Sequence, residues 1–290
     1  MRTAYITVIS SAILYGSISA IAKPSLNTVN PVLLSSLIYM IIGIFLTIIV
    51  RISRNTIKIN IHTFKLIFLD SICGAVIGPI LFFYGLKLTN ASKASLLINA
   101  EFLFSILLAI FLLKEKPGRR AYVGIILIFI GLLILNVKLD DIDFFQNNNN
   151  FIGNVFIIGA TIFWALDNNI SRIILHKEIP IIKIIQIKSL IGGVLSFGLV
   201  VIFNISLTIN AFQIPNLLFL SLGGFAGSLF LFLKAMKQIG TVKSVMIFST
   251  SSIFGIIFAL IFLKENIISW NLMLSVFIMT PGIYLITRNS

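Results

Sequence analysis

Two related apolar segments, 150 residues apart, most strongly constrain how this chain can fold. Aligned without gaps, Gly74–Glu115 matches Gly224–Glu265 at 11 of 42 positions, whereas chance gives on the order of a tenth of positions in so apolar a chain. Four of the matches are between charged residues, which are scarce here. Two of these four lie at the ends of the segments, where Lys114-Glu115 aligns with Lys264-Glu265. The first half is therefore interpreted as a diverged copy of the second. Copies with an odd number of membrane helices lie in opposite orientations.

The composition requires a lipid environment. The chain is 58% hydrophobic and 11% charged, with a mean hydropathy of +1.09, whereas soluble proteins have about a quarter charged residues. The formal charge of +13 comes from Lys and Arg in short loops between apolar runs. It therefore indicates membrane topology and excludes nucleic acid as a partner, because no polar domain carries a basic face.

Ten apolar runs are long enough to cross ~30 Å of hydrocarbon. They fall at about 4–22, 31–50, 65–86, 92–113, 120–137, 152–175, 181–203, 216–236, 242–263 and 269–287. With both termini inside, 17 of the 22 Lys and Arg residues lie on the cytoplasmic side, as the positive-inside rule requires. The sequence thus predicts an all-α polytopic protein of the cell (inner) membrane, with ten transmembrane helices and both termini cytoplasmic.

The repeat also predicts the domain organisation. Residues 1–138 form the first five-helix unit, 139–150 an outer polar linker rich in Asn, and 151–290 the second five-helix unit, inverted relative to the first. The first run resembles a cleavable signal at Ala20-Ile21-Ala22. However, Tyr15 and Lys23 have counterparts in Trp164 and Arg172, so we expect this run to remain in the mature protein.

Several kinds of chemistry are not expected. Cys73 is the only cysteine, so one chain forms no disulfide framework and no cysteine-ligated metal site. No glycine-rich nucleotide loop ending in Gly-Lys-Ser/Thr occurs, which excludes an ATP motor within this chain. We expect no cofactor and no metal.

Four charged residues lie within the predicted helices: Asp70, Glu101, Asp167 and Lys188. Each central charge costs about 2.5–3.5 kcal/mol to insert, so such residues usually face a cavity or a partner. At ~1.5 Å per residue, Asp167 and Lys188 reach the same depth, and two interpretations stay open: a structural ion pair or a substrate contact. Glu101 has no basic residue at its depth, and it is a candidate proton- or cation-binding group.

A polar and aromatic face runs along the sixth helix, where Trp164, Asn168 and Ser171 follow the i, i+4, i+7 spacing. Such a face suits a small amphipathic solute, although hydrogen bonding between helices explains any single residue equally well. The candidate substrate-binding residues are Tyr15, Tyr84, Asn99, Glu101, Trp164, Asp167, Asn168, Ser171 and Lys188.

Small residues and prolines mark two further features. Gly74-x-x-x-Gly78 and Gly224-x-x-x-Ser228 lie at equivalent places in the third and eighth helices, where small residues four apart favour close helix packing. Pro79 removes a backbone donor midway along the third helix, and the freed carbonyl either lines a cavity or allows a tolerated kink.

These residues resemble the EamA-type drug/metabolite transporter superfamily over nearly the whole chain. The similar segments are Leu14–Ser17, Tyr84–Ser92, Leu96–Glu101, Lys114-Glu115, Gly124, Gly131, Trp164–Arg172, Lys188-Ser189 and Gly192-Gly193. The resemblance implies ten helices, two inverted five-helix repeats and a central cavity between helices 1, 3, 4, 6, 8 and 9. Tyr15 stands where the family usually has Trp, and Ser252 where it commonly has Pro.

The predicted function is secondary transport of a small organic metabolite, an amino acid or related compound, by alternating access, with efflux implied by the resemblance. Membrane lipid is expected to surround the protein. Coupling of transport to a proton or cation stays open, and so does the choice between monomer and homodimer. Two alternatives remain: an intramembrane lipid-modifying enzyme, and a passive pore or assembly subunit. The dispersed buried acids favour neither an acid–base pair nor a metal site at one interface, so the chain is not predicted to be an enzyme.

Overall fold

The computed structural model describes residues 2–52, 59–113, 119–136, 148–177, 179–265 and 270–287, and within these ranges the chain is helical, without β-strands. The first half contains α1 (Arg2–Ser25), α2 (Pro31–Ile52), α3 (Ile61–Ser71), α4 (Gly78–Leu88), α5 (Ala91–Leu97), α6 (Ala100–Leu113) and α7 (Arg119–Asn136). The second half contains α8 (Asn148–Leu175), α9 (Ile181–Ile202), α10 (Ile214–Leu218), α11 (Ser228–Ile239), α12 (Thr241–Phe248), α13 (Ser251–Leu263) and α14 (Trp270–Thr287).

Within the described ranges these helices make ten segments, five in each half. The π-helix Ile72–Ile77 joins α3 to α4, and the π-helix Phe219–Gly227 joins α10 to α11, which a 3₁₀ turn, Ala211–Gln213, precedes. Six stretches are long and apolar enough to cross a membrane: Thr3–Ser25, Pro31–Ile52, Ile61–Leu88, Asn150–Leu175, Ile181–Ile202 and Ala211–Ile239. Tyr122–Gly131, Ser251–Leu263 and Met273–Gly282 are shorter apolar stretches. The predicted all-α, ten-helix fold is confirmed.

Irregular turns recur at matching places in the two halves. The third and eighth segments each contain a π-helix, and the fourth and ninth are each broken in the middle, at Ile98–Asn99 and at Ser249–Thr250. Pro79 lies two residues after the end of the first π-helix, and Leu229 occupies the equivalent position after the second π-helix. Proline is therefore not the common cause of the π-helices, which belong to the repeated unit itself.

The packing of the helices shows that the second half is inverted. α1 packs against α11 and α13, and its counterpart α8 packs against the counterparts α4 and α6. α2 and α9, which are equivalent, cross each other: Gly43 lies against Leu190, and Gly193 against Met40. Residue numbers that rise on one helix as they fall on the other indicate an antiparallel pair. Such exchange of equivalent contacts is what a two-fold axis in the membrane plane produces.

The bundle is apolar outside and carries polar groups inside. Large apolar side chains such as Ile48, Val194 and Phe277 are exposed on the helices, whereas Asp70 and Lys188 are buried in the interior. This distribution suits lipid as the solvent, because charged groups within a membrane face the bundle interior. The chain is a multi-pass membrane protein. Lys114, Glu115 and 139–147 of the predicted linker lie outside the described residues.

Candidate substrate-binding cavity

A cavity of about 60 Å³ lies among segments from both halves of the chain, with room for a few water molecules. Its wall includes both π-helices, so the irregular turns of the repeat border the same space. The lining residues are Tyr15, Tyr39, Ile42, Gly74, Glu101, Trp164, Asp167, Asn168, Ile185, Lys188, Ser189, Phe225, Ala226, Ser228, Leu229, Phe232 and Phe248.

A buried cluster of three charges lies at one side of the cavity, where Asp167 and Lys188 line the wall and Asp70 lies directly behind it. Lys188 on α9 makes an ion pair with Asp167 on α8, and its Nζ lies 3.3 Å from Oδ2 of Asp70 on α3. The Ser171 hydroxyl donates a hydrogen bond of 3.0 Å to the other oxygen of Asp70. One ammonium therefore faces two carboxylates in a low-dielectric interior, where charge pairs are stable only with such close partners. The Asp167–Lys188 ion pair expected from equal depth is present.

Three consecutive residues of α8 reach three different partners, because side chains on a helix step by about 100° per residue. Asp167 meets Lys188. The Asn168 amide donates a hydrogen bond of 2.6 Å to Oε1 of Glu101 on α6. The Asn169 amide donates to the carbonyls of Ala165 and Ser105, at 2.9 and 3.3 Å. α8 thus ties the charged side of the cavity to both α9 and α6.

Aromatic rings form another part of the cavity wall. The Tyr15 ring centroid lies 6.1 Å from that of Trp164 and 4.8 Å from that of Phe248, which in turn lies 4.6 Å from Phe232. Four rings from α1, α8, α11 and α12 therefore make a continuous surface. This wall offers an apolar body or a cation the faces and edges of π-systems.

Glycine allows the third segment to approach α8 closely. A Cβ added to Gly74 would overlap the Asp167 carboxylate, and one added to Gly78 would lie 2.6 Å from Nε1 of Trp164. The Gly74-x-x-x-Gly78 strip is therefore where two cavity-lining side chains of α8 rest against backbone.

The freed carbonyl expected from Pro79 lies at the cavity. The N–H of Gly78 donates to the carbonyl of Cys73, five residues earlier. In the same pattern the N–H of residue 79 would donate to the carbonyl of Gly74. Residue 79 is proline and has no N–H, so the Gly74 carbonyl lacks this backbone partner. The Tyr39 hydroxyl donates to the Gly74 carbonyl instead, at 2.9 Å.

Six of the nine predicted site residues line this one cavity: Tyr15, Glu101, Trp164, Asp167, Asn168 and Lys188. The other three lie elsewhere. Tyr84 packs its ring against Phe156, at 6.2 Å between centroids. The Asn99 amide donates a hydrogen bond of 3.0 Å to the Ser252 hydroxyl, and Ser171 supports Asp70 from behind.

The structure adds cavity residues that the sequence reasoning did not select. Asp70 was recognised only as a buried charge, although the depth count that paired Asp167 with Lys188 also brings Asp70 near that level: it lies nine residues into α3, or about 14 Å at ~1.5 Å per residue. Tyr39, Phe232 and Phe248 carry no sequence signal that separates them from other apolar positions.

Lys23 and Glu265 bind helix ends at one end of the bundle. Lys23 Nζ donates to the carbonyls at the end of α4, at 2.7 Å to Leu86 and 2.6 Å to Thr89. The Glu265 carboxylate accepts from the N–H groups of Ala91 and Ser92, at 2.8 and 3.1 Å, which begin α5. Glu265, the second residue of the Lys264-Glu265 repeat marker, therefore satisfies N–H groups at the start of a helix in the other half of the chain.

Comparisons with known proteins agree with this architecture. The chain is 30% identical over 274 residues to an uncharacterized transporter of Methanothermobacter thermautotrophicus, covering 90% of this chain and 79% of that protein. It is 23% identical to an uncharacterized transporter of Clostridium kluyveri, covering 92% of this chain and 88% of that protein. A solved crystal structure of a protein that is 16% identical superposes with a TM-score of 0.71, over 99% of this chain and 97% of that one, which shows the shared fold.

The family model for EamA-like transporters matches this chain twice, over residues 2–137 and 151–288. These two matches cover almost the whole chain, and the relatives named as transporters are similar over most of it. The family and the names of these relatives point to a membrane transporter, which would act on a small-molecule substrate, and not to an enzyme. This chain therefore belongs to the EamA-like transporter family.

Proposed function

We propose that this protein is a secondary transporter that moves a small organic metabolite, an amino acid or a related compound, out across the cytoplasmic membrane by alternating access. The observation that carries the proposal is the cavity itself, which holds charged and aromatic side chains from both halves of an inverted repeat. Sites at the repeat interface, near unwound or irregular helices, are where secondary transporters bind their substrates.

The shape of the cavity supports a mechanism with more than one state. A space of about 60 Å³ holds a few water molecules, whereas cavities that enclose a small organic ligand are typically about 300–1,000 Å³. A solute therefore enters only when the surrounding helices move. The π-helices Ile72–Ile77 and Phe219–Gly227 border the cavity, and such irregular turns allow a helix to bend without breaking its whole hydrogen-bond ladder. Bending of equivalent segments in the two halves would open the cavity to each side in turn.

Glu101 is the proposed coupling group. It is half-buried, lines the cavity and receives a hydrogen bond from Asn168. A carboxyl group in this position can exchange a proton or bind a cation as the cavity opens to either side. We propose that both termini lie in the cytoplasm, which agrees with the Lys and Arg excess in the loops on that side.

Flux in proteoliposomes tests the proposal. The full chain is reconstituted and loaded with a radiolabelled panel of amino acids and related amines, and both efflux and counterflow are measured. We expect at least one solute to show saturable flux that unlabelled solute on the opposite side accelerates. Saturable flux without counterflow, or no flux for any member of the panel, would contradict alternating access of a metabolite.

A pair of matched variants on α8 connects the flux to the cavity. Asn168→Leu removes the donor to Glu101 within the cavity and is expected to abolish flux. Asn154→Leu makes the same change at a buried asparagine outside the cavity, near the other end of α8, where its side chain accepts a hydrogen bond from Thr89. Equal flux in the two variants would remove the assignment of the cavity as the transport site.

A further inference from the structure

The charges at the cavity do not balance. Three carboxyl groups, those of Asp70, Asp167 and Glu101, lie at or directly behind its wall, and Lys188 is the only Lys, Arg or His among the described residues that line it. The Lys188 ammonium is already shared by Asp70 and Asp167. Glu101 has the Asn168 amide as its hydrogen-bond donor, which is dipolar and carries no charge. With all four groups ionised, two negative charges remain without a counterion.

A surplus of negative charge in a water-poor interior favours a ligand that brings a positive charge. Burial of a carboxylate without a partner is costly, so Glu101 takes up either a proton or a cation. A bound cation beside Glu101 replaces the proton and supplies the missing positive charge. The same charges disfavour a ligand carboxylate. Such a group would need a free cationic donor, and Lys188 is already engaged on both sides.

The wall beyond Glu101 fits the other part of such a ligand. Trp164, Tyr15, Phe248 and Phe232 form a row of rings whose neighbouring centroids are 4.6 to 6.1 Å apart. Rings hold an apolar body by surface burial, and they attract a cationic head through their quadrupoles. The hydroxyls of Ser189 and Ser228 are the small polar groups in the lining, and Ser228 already donates to the carbonyl of Ser11, at 3.0 Å.

From this charge balance and this aromatic wall, we infer that the cavity binds a small organic amine, with the ligand ammonium beside Glu101 and its apolar body along the Trp164–Phe232 wall. The inference rests on the proposed transport function and narrows its substrate class. The preferred solute carries an ammonium group without a carboxylate, so an amine is favoured over the corresponding amino acid.

Competition binding with three related compounds tests this class. Purified full-length protein in detergent is incubated with radiolabelled phenethylamine in a scintillation proximity assay, and unlabelled phenethylamine, phenylalanine and N-acetylphenethylamine are added as competitors. Phenylalanine adds a carboxylate to the amine, and the acetyl compound removes its charge. We expect phenethylamine to compete at least about tenfold more strongly than either relative, as expected for a charge-assisted hydrogen bond in a desolvated site. Equal or stronger competition by phenylalanine or the acetyl compound would overturn the inference.

Variants of Glu101 assign the ammonium site. Glu101→Gln keeps the size of the side chain and can still accept from Asn168, but it removes the charge, and we expect amine binding to weaken at least about tenfold. Glu101→Asp keeps the charge and is expected to restore most of the binding. Gel filtration checks that both variants remain monodisperse. Amine binding that is unchanged in Glu101→Gln would contradict the assignment. Loss in both variants with retained folding would show that the site needs both the charge and the reach of the glutamate, which supports it.

Flux separates failure of this inference from failure of the transport proposal. If the reconstituted protein carries phenylalanine and not phenethylamine, transport stands and the amine class is wrong. If the protein binds phenethylamine and carries no member of the panel, the ligand class stands and the transport proposal fails. Selective counterflow of phenethylamine supports both.

Discussion

The charged cluster of this protein and the cluster at the repeat-equivalent positions show what an internal repeat preserves and what it does not. Asp70, Asp167 and Lys188 form the ion cluster on one side. At the offsets of about 150 residues that align the two halves, their equivalents are Leu220, Ile18 and Ile38, all buried in the hydrophobic core. The local geometry is nonetheless kept: Gly74 lies against Asp167, and Gly224 lies against Ile18.

This difference indicates that the repeat specifies the scaffold and leaves the chemistry free to diverge. Both halves contain a π-helix, a broken fourth helix and a glycine that lets a neighbouring helix approach. Only one of the two equivalent sets of positions carries charges, and residues from both halves contribute to it. A scaffold with two equivalent halves allows two equivalent conformations, one open to each side of the membrane. Charges at only one of the two equivalent sets of positions give those conformations different affinities for a ligand or a proton. This asymmetry therefore biases which of the two conformations is populated when a ligand or a proton is bound.

Removal of Lys188 is expected to have the largest effect on this comparison. Lys188→Met leaves Asp70 and Asp167 facing each other in the interior, and the loss of one partner from a buried charge cluster costs about 3–5 kcal/mol. The triple variant Asp70→Leu, Asp167→Ile, Lys188→Ile copies the apolar counterpart and leaves no unpaired charge. We expect it to recover most of the stability while losing transport.

Thermal unfolding in detergent, together with proteoliposome flux, measures both parts of that expectation. The single variant should unfold at a clearly lower temperature than the triple variant, because buried ion clusters replaced by apolar residues of similar volume are often as stable as the original. A triple variant less stable than Lys188→Met would show that the two halves differ in packing as well as in charge.

The two equivalent glycines offer a second, smaller test. Gly74→Ala would place a methyl group within the Asp167 carboxylate, whereas Gly224→Ala would place one 3.0 Å from Cγ1 and 3.6 Å from the terminal Cδ1 of the Ile18 side chain. We expect Gly74→Ala to cost about 1–3 kcal/mol through overpacking and to reduce flux. Gly224→Ala should cost less and leave flux largely intact. Unfolding temperatures of the two variants check this, and equal losses would contradict a special role for the Gly74 contact.

The sequence predicts the ten segments well because two independent features, the length of the apolar runs and the distribution of Lys and Arg, both indicate them. The length of an apolar run must match the thickness of the bilayer, and the distribution of Lys and Arg among the loops indicates the topology. The Asp167–Lys188 ion pair is also predictable as one of two interpretations, because the constant rise of a helix gives the depth of each residue in the membrane. The same count gives Asp70 a similar depth. Its helix is distant in sequence from the other two, however, so the sequence does not indicate that Asp70 contacts the pair.

The π-helices and the aromatic wall could not be predicted in the same way. An apolar run such as Phe219–Gly227 carries no signal that separates i→i−5 hydrogen bonding from the usual i→i−4 pattern. Phe232 and Phe248 have the composition of ordinary core positions, and only the packing of α11 and α12 brings them beside Tyr15. Tertiary contacts therefore decide which of many similar aromatic residues line the cavity.

The smallest expected effect concerns the carbonyl of Gly74. Tyr39 donates to it at 2.9 Å where Pro79 lacks an N–H, while the equivalent position in the other half is Leu229, which has one. Tyr39→Phe removes a buried hydrogen bond and should cost about 1 kcal/mol. In a Pro79→Leu background the new N–H can satisfy the same carbonyl, so Tyr39→Phe should cost less. A double-mutant cycle of unfolding temperatures measures this coupling. Strict additivity would show that the two groups do not share the carbonyl, and that the first π-helix is held by contacts other than Tyr39.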